Sequence, residues 1–360
     1  MTNHCKFMKL ALSLAARGLG RTGENPSVGC VIVKGGAVIG RGVTAVGGRP
    51  HAEIVALMQA GKTAKGADMY VSLEPCCHFG KSPPCTDAII KSGIGRVIIS
   101  NIDPFPEVGG KGIKKLRTTG IEVITGVLEP EGEEVNAGFF KRILENRPYV
   151  TLKIAASLDG KTALEDGESK WITGIDARNF GHLLRSQSDA IMTGIGTVLA
   201  DDPMLDCRLP GLEDRSPLRV IIDSKLRISK KSKIIATAKK IPTVVFTAAP
   251  SGKALLKSCV TIEKIKSSRA GLDLRAALGN LAGKGINRIL VESGGKLAAS
   301  LLKENLVDEI YWFVAPKIIG GEGLNGIAEL GIRKMENVKN FALAETKKLG
   351  DDLVLRLKRS

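Results

Sequence analysis

Aromatic side chains are scarce in this chain of 360 residues: 4% of the total, with only two Trp and three Tyr. That scarcity leaves little material for the stacking platforms on which single-stranded nucleic acids are held. Acidic residues are outnumbered as well, 37 against 53 Lys and Arg, for a formal charge of +16. The basic excess is scattered, in doublets such as Lys114-Lys115, Lys239-Lys240 and Lys347-Lys348, and forms no basic arm. A basic solvated surface is the favoured reading, and phosphorylated ligands fit as well as nucleic acid does. No run of about 18 apolar residues occurs, so nothing reads as a membrane span. Internal repeats and low-complexity segments are absent too. Seven cysteines, odd in number and widely spaced, exclude a disulfide scaffold in a chain this long.

The length itself points to two domains. Lys6 and Lys9 ahead of Leu10–Ala16 have the outline of a short signal peptide. However, Met8, Leu12, Ala15 and Leu19 share one helical face, with Arg17 and Arg21 as a charged end. The segment therefore reads as the first helix of a fold.

The densest chemistry lies between His51 and Cys85. His51-Ala52-Glu53 is followed by Glu74-Pro75-Cys76-Cys77-His78-Phe79-Gly80-Lys81-Ser82-Pro83-Pro84-Cys85. An H-x-E element followed by P-C and a further Cys is the pattern of zinc deaminases. Zinc accepts His nitrogen and Cys sulfur tetrahedrally, and a catalytic site keeps the fourth corner for water. His51, Cys76 and Cys85 fill three corners, and Glu53 stays off the metal as a proton carrier. Cys76 is chosen over Cys77 because it follows Pro75 directly. Eight residues separate Cys76 from Cys85, where nucleic-acid and nucleoside deaminases have two. A structural zinc site with Cys77 or His78 as fourth ligand remains the alternative. Because thiols that hold zinc need a reducing compartment, the cytoplasm is expected.

Along the chain, Cys30–Val33, a Gly35-Gly36 turn and Ala37–Ile39 read as a hairpin. A helix from His51 to Ala60, a strand at Met69–Leu73 and a helix from Cys85 to about Lys91 follow. Next come a strand at Arg96–Ser100, a helix near Lys111–Thr119, a strand at Ile121–Thr125 and a helix from about Glu131 to Leu144. This predicts a mixed sheet covered by helices on both faces. Asn25, just ahead of the first strand, is either a ring contact or an Asx turn before Pro26. Asn146-Arg147-Pro148 marks a boundary, dividing the chain into 1–146 and 147–360. Beyond it a second α/β alternation begins at Tyr149–Ala155, with a helix from Asp176 to Arg185 and a strand at Ala190–Thr193. Further strands are expected at Arg219–Ile222, Thr243–Phe246, Arg288–Val291 and Glu309–Phe313. Two glycine turns, Gly194-Ile195-Gly196 and Gly294-Gly295, each join a strand to a helix, a geometry suited to phosphate. The residues alone take the second half no further than a phosphate ligand.

Both halves together resemble one family, the bifunctional riboflavin-biosynthesis deaminase/reductases often called RibD or RibG. In the first half, the motifs are Asn25–Gly29, His51–Glu53, and Pro75-Cys76 through Pro83-Pro84-Cys85. In the second, they are Ser157–Lys161, Gly167–Thr173, Val198–Pro203 and Val291–Gly295. The match departs at Phe105, where the family often has a polar residue between the prolines. The resemblance implies a cytidine-deaminase-like α/β/α domain followed by a dihydrofolate-reductase-like α/β domain. It implies zinc-dependent deamination of a ribosylamino-pyrimidine phosphate, then NADPH-dependent reduction of the ribosyl group to ribityl. The cofactor would contact Ala155, Trp171, Thr197, Asp201, Ser224, Gly294 and Gly295. The reductase substrate would contact Ser169, Arg185, Arg208 and Glu292, with the two arginines gripping the phosphate. Lys153 and Glu292 are the candidate proton sources. In the deaminase, Asn25, His78 and Lys81 are candidate substrate contacts.

The expected partner is thus a phosphorylated pyrimidine, with no nucleic acid and no membrane, and homo-oligomerisation is left open. A tRNA or other nucleic-acid deaminase with an accessory domain is the main rival, motivated by the charge. A zinc-stabilised binding protein is the non-enzymatic one.

Overall fold

The structure is a computed structural model and describes residues 3–250, 259–268 and 271–360. Contacts divide the chain into two units, Met1–Arg147 and Pro148–Ser360.

The first unit contains α1 (Asn3–Gly18), β1 (Gly29–Lys34), β2 (Ala37–Val43), α2 (Ala52–Ala60), β3 (Asp68–Leu73) and α3 (Cys85–Ser92). It continues with β4 (Arg96–Asn101), α4 (Lys111–Thr118), β5 (Glu122–Ile124) and α5 (Glu129–Glu145). Its sheet runs β2-β1-β3-β4-β5. The β1 strand is antiparallel to both neighbours, while β3, β4 and β5 are parallel. Gly35 and Gly36 both have positive φ, the conformation a two-residue hairpin turn requires. The buried strands alternate between two cores. Cys30, Ile32, Met69, Val71, Val97 and Ile99 face α2, and Val31, Val33, Tyr70 and Ile98 face α1. The first helix ends at Gly18, so Arg21 lies beyond it and does not form its charged end.

Close approach sets the position of α2. A Cβ on Gly42 would meet the Ala52 carbonyl oxygen, Ala56 N at 2.8 Å and Val55 Cβ at 2.9 Å. Only glycine lets β2 lie this near the helix that carries Glu53.

The second unit contains β6 (Tyr149–Ser157), β7 (Lys161–Ala163), α6 (Ile175–Ser186), β8 (Ala190–Gly194), α7 (Ile195–Asp201), β9 (Leu218–Ile222), α8 (Lys233–Ala236) and β10 (Thr243–Thr247). Then come β11 (Thr261–Lys264), β12 (Ser267–Ser268), β13 (Gly271–Leu272), α9 (Leu274–Gly283), β14 (Arg288–Glu292) and α10 (Gly295–Lys303). It closes with β15 (Glu309–Ala315), β16 (Leu324–Asn325), β17 (Phe341–Leu349) and β18 (Asp352–Arg359). Nine strands form one sheet in the order β11-β10-β9-β8-β14-β6-β15-β18-β17. From β11 to β15 neighbours are parallel, and β18 is antiparallel to both β15 and β17. This C-terminal hairpin has no counterpart in the strands expected from sequence. The β17 strand is exposed over most of its length, so no buried face imposes an apolar alternation on it.

Arg219 in β9 is fully buried and, among the described residues, hydrogen-bonds no carboxylate. Its guanidinium instead donates to Thr243 and Thr237 hydroxyls and to the carbonyls of Met204, Ile234 and Ile241. It pins the loops on that side of the sheet.

Gly42→Ala should destabilise the protein by about 1–3 kcal/mol, the usual cost of overpacking. Chemical denaturation checks this, and an unchanged midpoint would remove the close-approach argument.

Candidate active sites

Three chain segments meet at the first site. His51 is the residue before α2, in extended conformation, so its imidazole projects from the helix start. Glu53 lies in the first turn of α2 and is 3% exposed. Cys76 follows the end of β3, and Cys85 opens α3. The candidate ligand atoms of His51, Cys76 and Cys85 all lie within 4.8 Å of one another. His51 Nδ1 is 3.3 Å from Cys85 Sγ and 3.5 Å from Cys76 Sγ. The backbone N–H of Cys85 donates to Cys76 Sγ at 3.3 Å, as a helix start does toward an anion. One imidazole, two thiols and a vacant direction toward a cavity form a donor set that suits catalytic zinc. Cys77 turns away, its Sγ donating to the Glu107 carbonyl at 3.8 Å.

Electrostatics follow from this crowding. Hydrogen bonding from Cys85, with help from His51, holds the Cys76 thiol down at about 4. The same contact, with burial, pushes Cys85 far up. Burial first, then the Cys76 charge, raises the Glu53 carboxyl to about 7. A carboxyl at that value can both take and return a proton near neutrality.

Glu74 was read only as part of the Cys motif. It is buried, and its carboxylate accepts from Asp103 N–H at 3.3 Å, Gly110 N–H at 2.9 Å and Ile113 N–H at 3.0 Å. It therefore ties the end of β3 to the start of α4 and fixes where Cys76 begins.

A cavity of ≈ 310 Å³ opens beside the donors, and Asn25, His78, Glu53 and Phe105 line it. His78 Nδ1 is buried there without a hydrogen-bond partner among the described residues. Lys81 is not among the lining residues; it pairs with Glu24 on the rim at 3.1 Å. Asp103 was missed by sequence reasoning. It lines the same cavity, and burial raises its carboxyl to about 7. Nothing in its own neighbourhood, Asp103-Pro104, distinguishes it from a turn residue.

In the second unit, candidates gather at the carboxyl ends of the parallel strands, where open α/β sheets bind ligands. Lys153 in β6 and Glu292 at the end of β14 are register neighbours, with Lys153 Nζ 3.8 Å from Glu292 Oε2. Arg185 of α6 grips Glu292 with two parallel bonds of 2.7 and 2.9 Å and donates to the Asp206 carbonyl at 2.8 Å. Arg185 therefore faces Glu292, with three of its five N–H groups engaged. Arg208 pairs with the Asp206 carboxylate, and its backbone N–H donates to His182 Nδ1 at 3.2 Å. Burial, then Arg185 and Arg208, hold His182 down at about 4, so it stays neutral and accepts that bond.

Burial pushes the Glu292 carboxyl up, but Arg185 and Lys153 more than reverse this and hold it at about 2. Burial lowers Lys153, and Glu292 only partly restores it.

The two glycine turns are spatial neighbours. The backbone N–H of Gly294 donates to Thr197 Oγ1 at 3.2 Å. A Cβ on Gly295 would meet Asn325 O at 2.5 Å and Ala328 N at 2.9 Å, so the close chain path demands glycine. Thr193 Oγ1 and Ser293 Oγ, at the ends of adjacent strands β8 and β14, are buried without partners among the described residues. Orphaned hydroxyls beside the start of α10 fit a bound phosphate or amide. Asp201 ends α7, and Ser224 follows β9, where its carbonyl accepts from Thr247 Oγ1 at 3.2 Å. Ala155 lies two residues after Lys153 on the same strand face. Trp171 is 62% exposed with the Arg178 guanidinium 4.5 Å over its ring, and Ser169 lies in the same loop.

Residues 148–355 match the family described as the RibD C-terminal domain, and residues 1–101 match the cytidine and deoxycytidylate deaminase zinc-binding region. The chain is 46% identical over 355 residues to the riboflavin biosynthesis protein RibD of Aquifex aeolicus, covering 98% of each. It is 41% identical over 363 residues to that of Escherichia coli, again covering 98% of each. Among solved structures it is similar to Acinetobacter baumannii RibD, with TM-score 0.91, 38% identity and 99% coverage of both chains. It is also similar to the diaminohydroxyphosphoribosylaminopyrimidine deaminase/5-amino-6-(5-phosphoribosylamino)uracil reductase of Thermotoga maritima, with TM-score 0.87, 36% identity and 99% coverage of both.

Metal analysis of purified variants checks the donor set: Cys77→Ser should keep its zinc and Cys76→Ser should lose most of it. The Glu292 carboxyl sits below its ordinary 4.5. Its stabilising effect is therefore present above that value and fades as pH falls toward about 2. The stability gap between the native protein and Glu292→Gln should accordingly shrink between about pH 5 and about pH 2.5. Urea midpoints at both values measure it, and a constant gap would contradict the assignment.

Proposed function

The chain belongs to the RibD family of riboflavin biosynthesis proteins, and from that membership we propose how its residues divide the work. The protein is a bifunctional enzyme, a deaminase and a reductase. Its substrates are those named for the Thermotoga maritima relative. A diaminohydroxyphosphoribosylaminopyrimidine loses its ring amine, and the resulting 5-amino-6-(5-phosphoribosylamino)uracil is reduced to the ribityl compound. The first unit carries the deaminase and the second the reductase.

His51, Cys76 and Cys85 hold zinc. When bound, the metal brings the pKa of a water near neutrality and so supplies the nucleophile. Glu53 accepts the proton released there and passes it to the ring nitrogen; it then takes the remaining proton of the added hydroxyl and gives it to the ring amine, which leaves as ammonia. Asn25 and His78 orient the ring within the cavity, and Lys81 serves the rim.

In the reductase, Thr197, Gly294 and Gly295 receive the phosphates of NADPH at the start of α10, with Ala155, Trp171, Asp201 and Ser224 along the remainder. NADPH supplies the hydride for C1 of the ring-opened sugar. Of the two candidate proton sources, Lys153 is favoured. Glu292 is ionised at neutral pH and has no proton to give. Its role is to hold Lys153 and Arg185 in place while Ser169, Arg185 and Arg208 meet the substrate. A cytoplasmic location accords with the reduced thiols the zinc site needs, and a cavity of ≈ 310 Å³ has room for a small pyrimidine.

The observation that carries this reading is the convergence of three zinc donors beside a buried glutamate. Glu53→Gln should cut deamination by about 10²–10⁴-fold, the range of general acid–base catalysis, while zinc stays bound. NADPH oxidation with the deaminated substrate should persist. If the folded variant lost both reactions, the two-site assignment would fall.

A further inference from the structure

The deaminase cavity holds a cation with no task in the mechanism above. Arg49 lines it, two residues before the metal donor His51. Its Nε is buried and has no hydrogen-bond partner among the described residues. A buried guanidinium donor left without an acceptor costs roughly 1–3 kcal/mol, so something outside the chain is expected to fill it.

The surrounding groups narrow the choice. Glu24 is the carboxylate that feels the charge of Arg49, but Lys81 already holds it at 3.1 Å. Arg142 lines the same cavity and donates to the Glu24 carbonyl at 2.6 Å. Lys81, Arg142 and Arg49 all act on the charge of Glu24. Arg49 also acts electrostatically on His51. Gly80 separates it from His78. A Cβ there would lie 3.6 Å from His78 Nε2 and 4.0 Å from Arg49 Nη2. The wall that presents the unpartnered Nδ1 of His78 thus presents Arg49 too.

We propose that Arg49 binds the phosphate of the deaminase substrate, its guanidinium fork taking two phosphate oxygens while the pyrimidine ring lies at the zinc donors. The proposal rests on the deaminase reading above. Arginine suits the task because Nε and Nη present paired donors at the spacing of phosphate oxygens. With the phosphate bound, the buried Nε gains its acceptor. A substrate without phosphate leaves it unmet, so Arg49 discriminates between nucleotide and nucleoside forms.

The test is a kinetic cycle with two substrates, the phosphorylated ribosylamino-pyrimidine and its phosphate-free counterpart. The proteins compared are the native enzyme, Arg49→Gln and Arg49→Lys, with zinc content and denaturation midpoint as fold controls. Arg49→Gln should raise KM for the phosphorylated substrate about 10- to 100-fold, the worth of a charged hydrogen bond. Its kcat should stay within about threefold, and turnover of the phosphate-free substrate should be unchanged. Arg49→Lys should recover part of the KM, since it restores charge without the fork. An equal loss on both substrates would place Arg49 against the ring or in the scaffold and overturn the proposal. So would no loss on either. If the native enzyme deaminates neither pyrimidine, the functional reading itself fails; if it deaminates both and Arg49→Gln does not discriminate, only the role of Arg49 fails.

Discussion

Two sulfurs and an imidazole packed within hydrogen-bonding distance form an arrangement that water alone does not balance. When Cys76 ionises, its negative charge and its bond with Cys85 keep the second thiol protonated. Only a cation at their centre lets both sulfurs be anionic together. The rest of the first unit is arranged around that constraint. The start of α3 brings Cys85 in with its N–H directed at Cys76, and α2 is held against β2 by glycines so that His51 and Glu53 arrive together. Glu74 spends its buried charge on three backbone N–H groups and thereby locks the loop leaving Cys76.

The second unit solves a different electrostatic problem. Its central carboxylate, Glu292, is made a permanent anion by Arg185 and Lys153, whereas Glu53 is lifted toward neutrality by burial. The contrast follows from the chemistry. A proton carrier must change state during turnover, and an anchoring charge must not. Lys153 pairs with the Glu292 carboxylate at 3.8 Å, and burial still outweighs that pairing in lowering its pKa.

Much of this was legible in the sequence because it is local. His51-Ala52-Glu53, Pro75-Cys76 and Cys85 announce their chemistry through type and spacing, and the hairpin at Gly35-Gly36 announces itself through turn chemistry. The strand–helix alternation of both halves follows from β-branched runs such as Arg96–Ser100 and Arg288–Val291. What stayed hidden depends on partners far along the chain. Glu74 looks like part of a cysteine motif until Gly110 and Ile113 fold onto it. Arg185 reads as a free phosphate clamp until Glu292, 107 residues away, occupies it. Arg219 gives no sign in its strand that five distant acceptors await it. In the hairpin of β17 and β18, β17 is exposed over most of its length and so carries no one-sided apolar pattern.

The zinc donors lie close together in the sequence, all between positions 51 and 85, inside a unit that ends at Arg147. The counterpart in the second unit joins Lys153 to Glu292 and needs nearly the whole of β6 to β14. Chains emerge from the ribosome N-terminus first, and compact units fold as they emerge. The metal centre can thus assemble on a nascent chain while the segment bearing Glu292 is still untranslated. Of the two sites, only the first has all its residues in a chain that stops at Arg147.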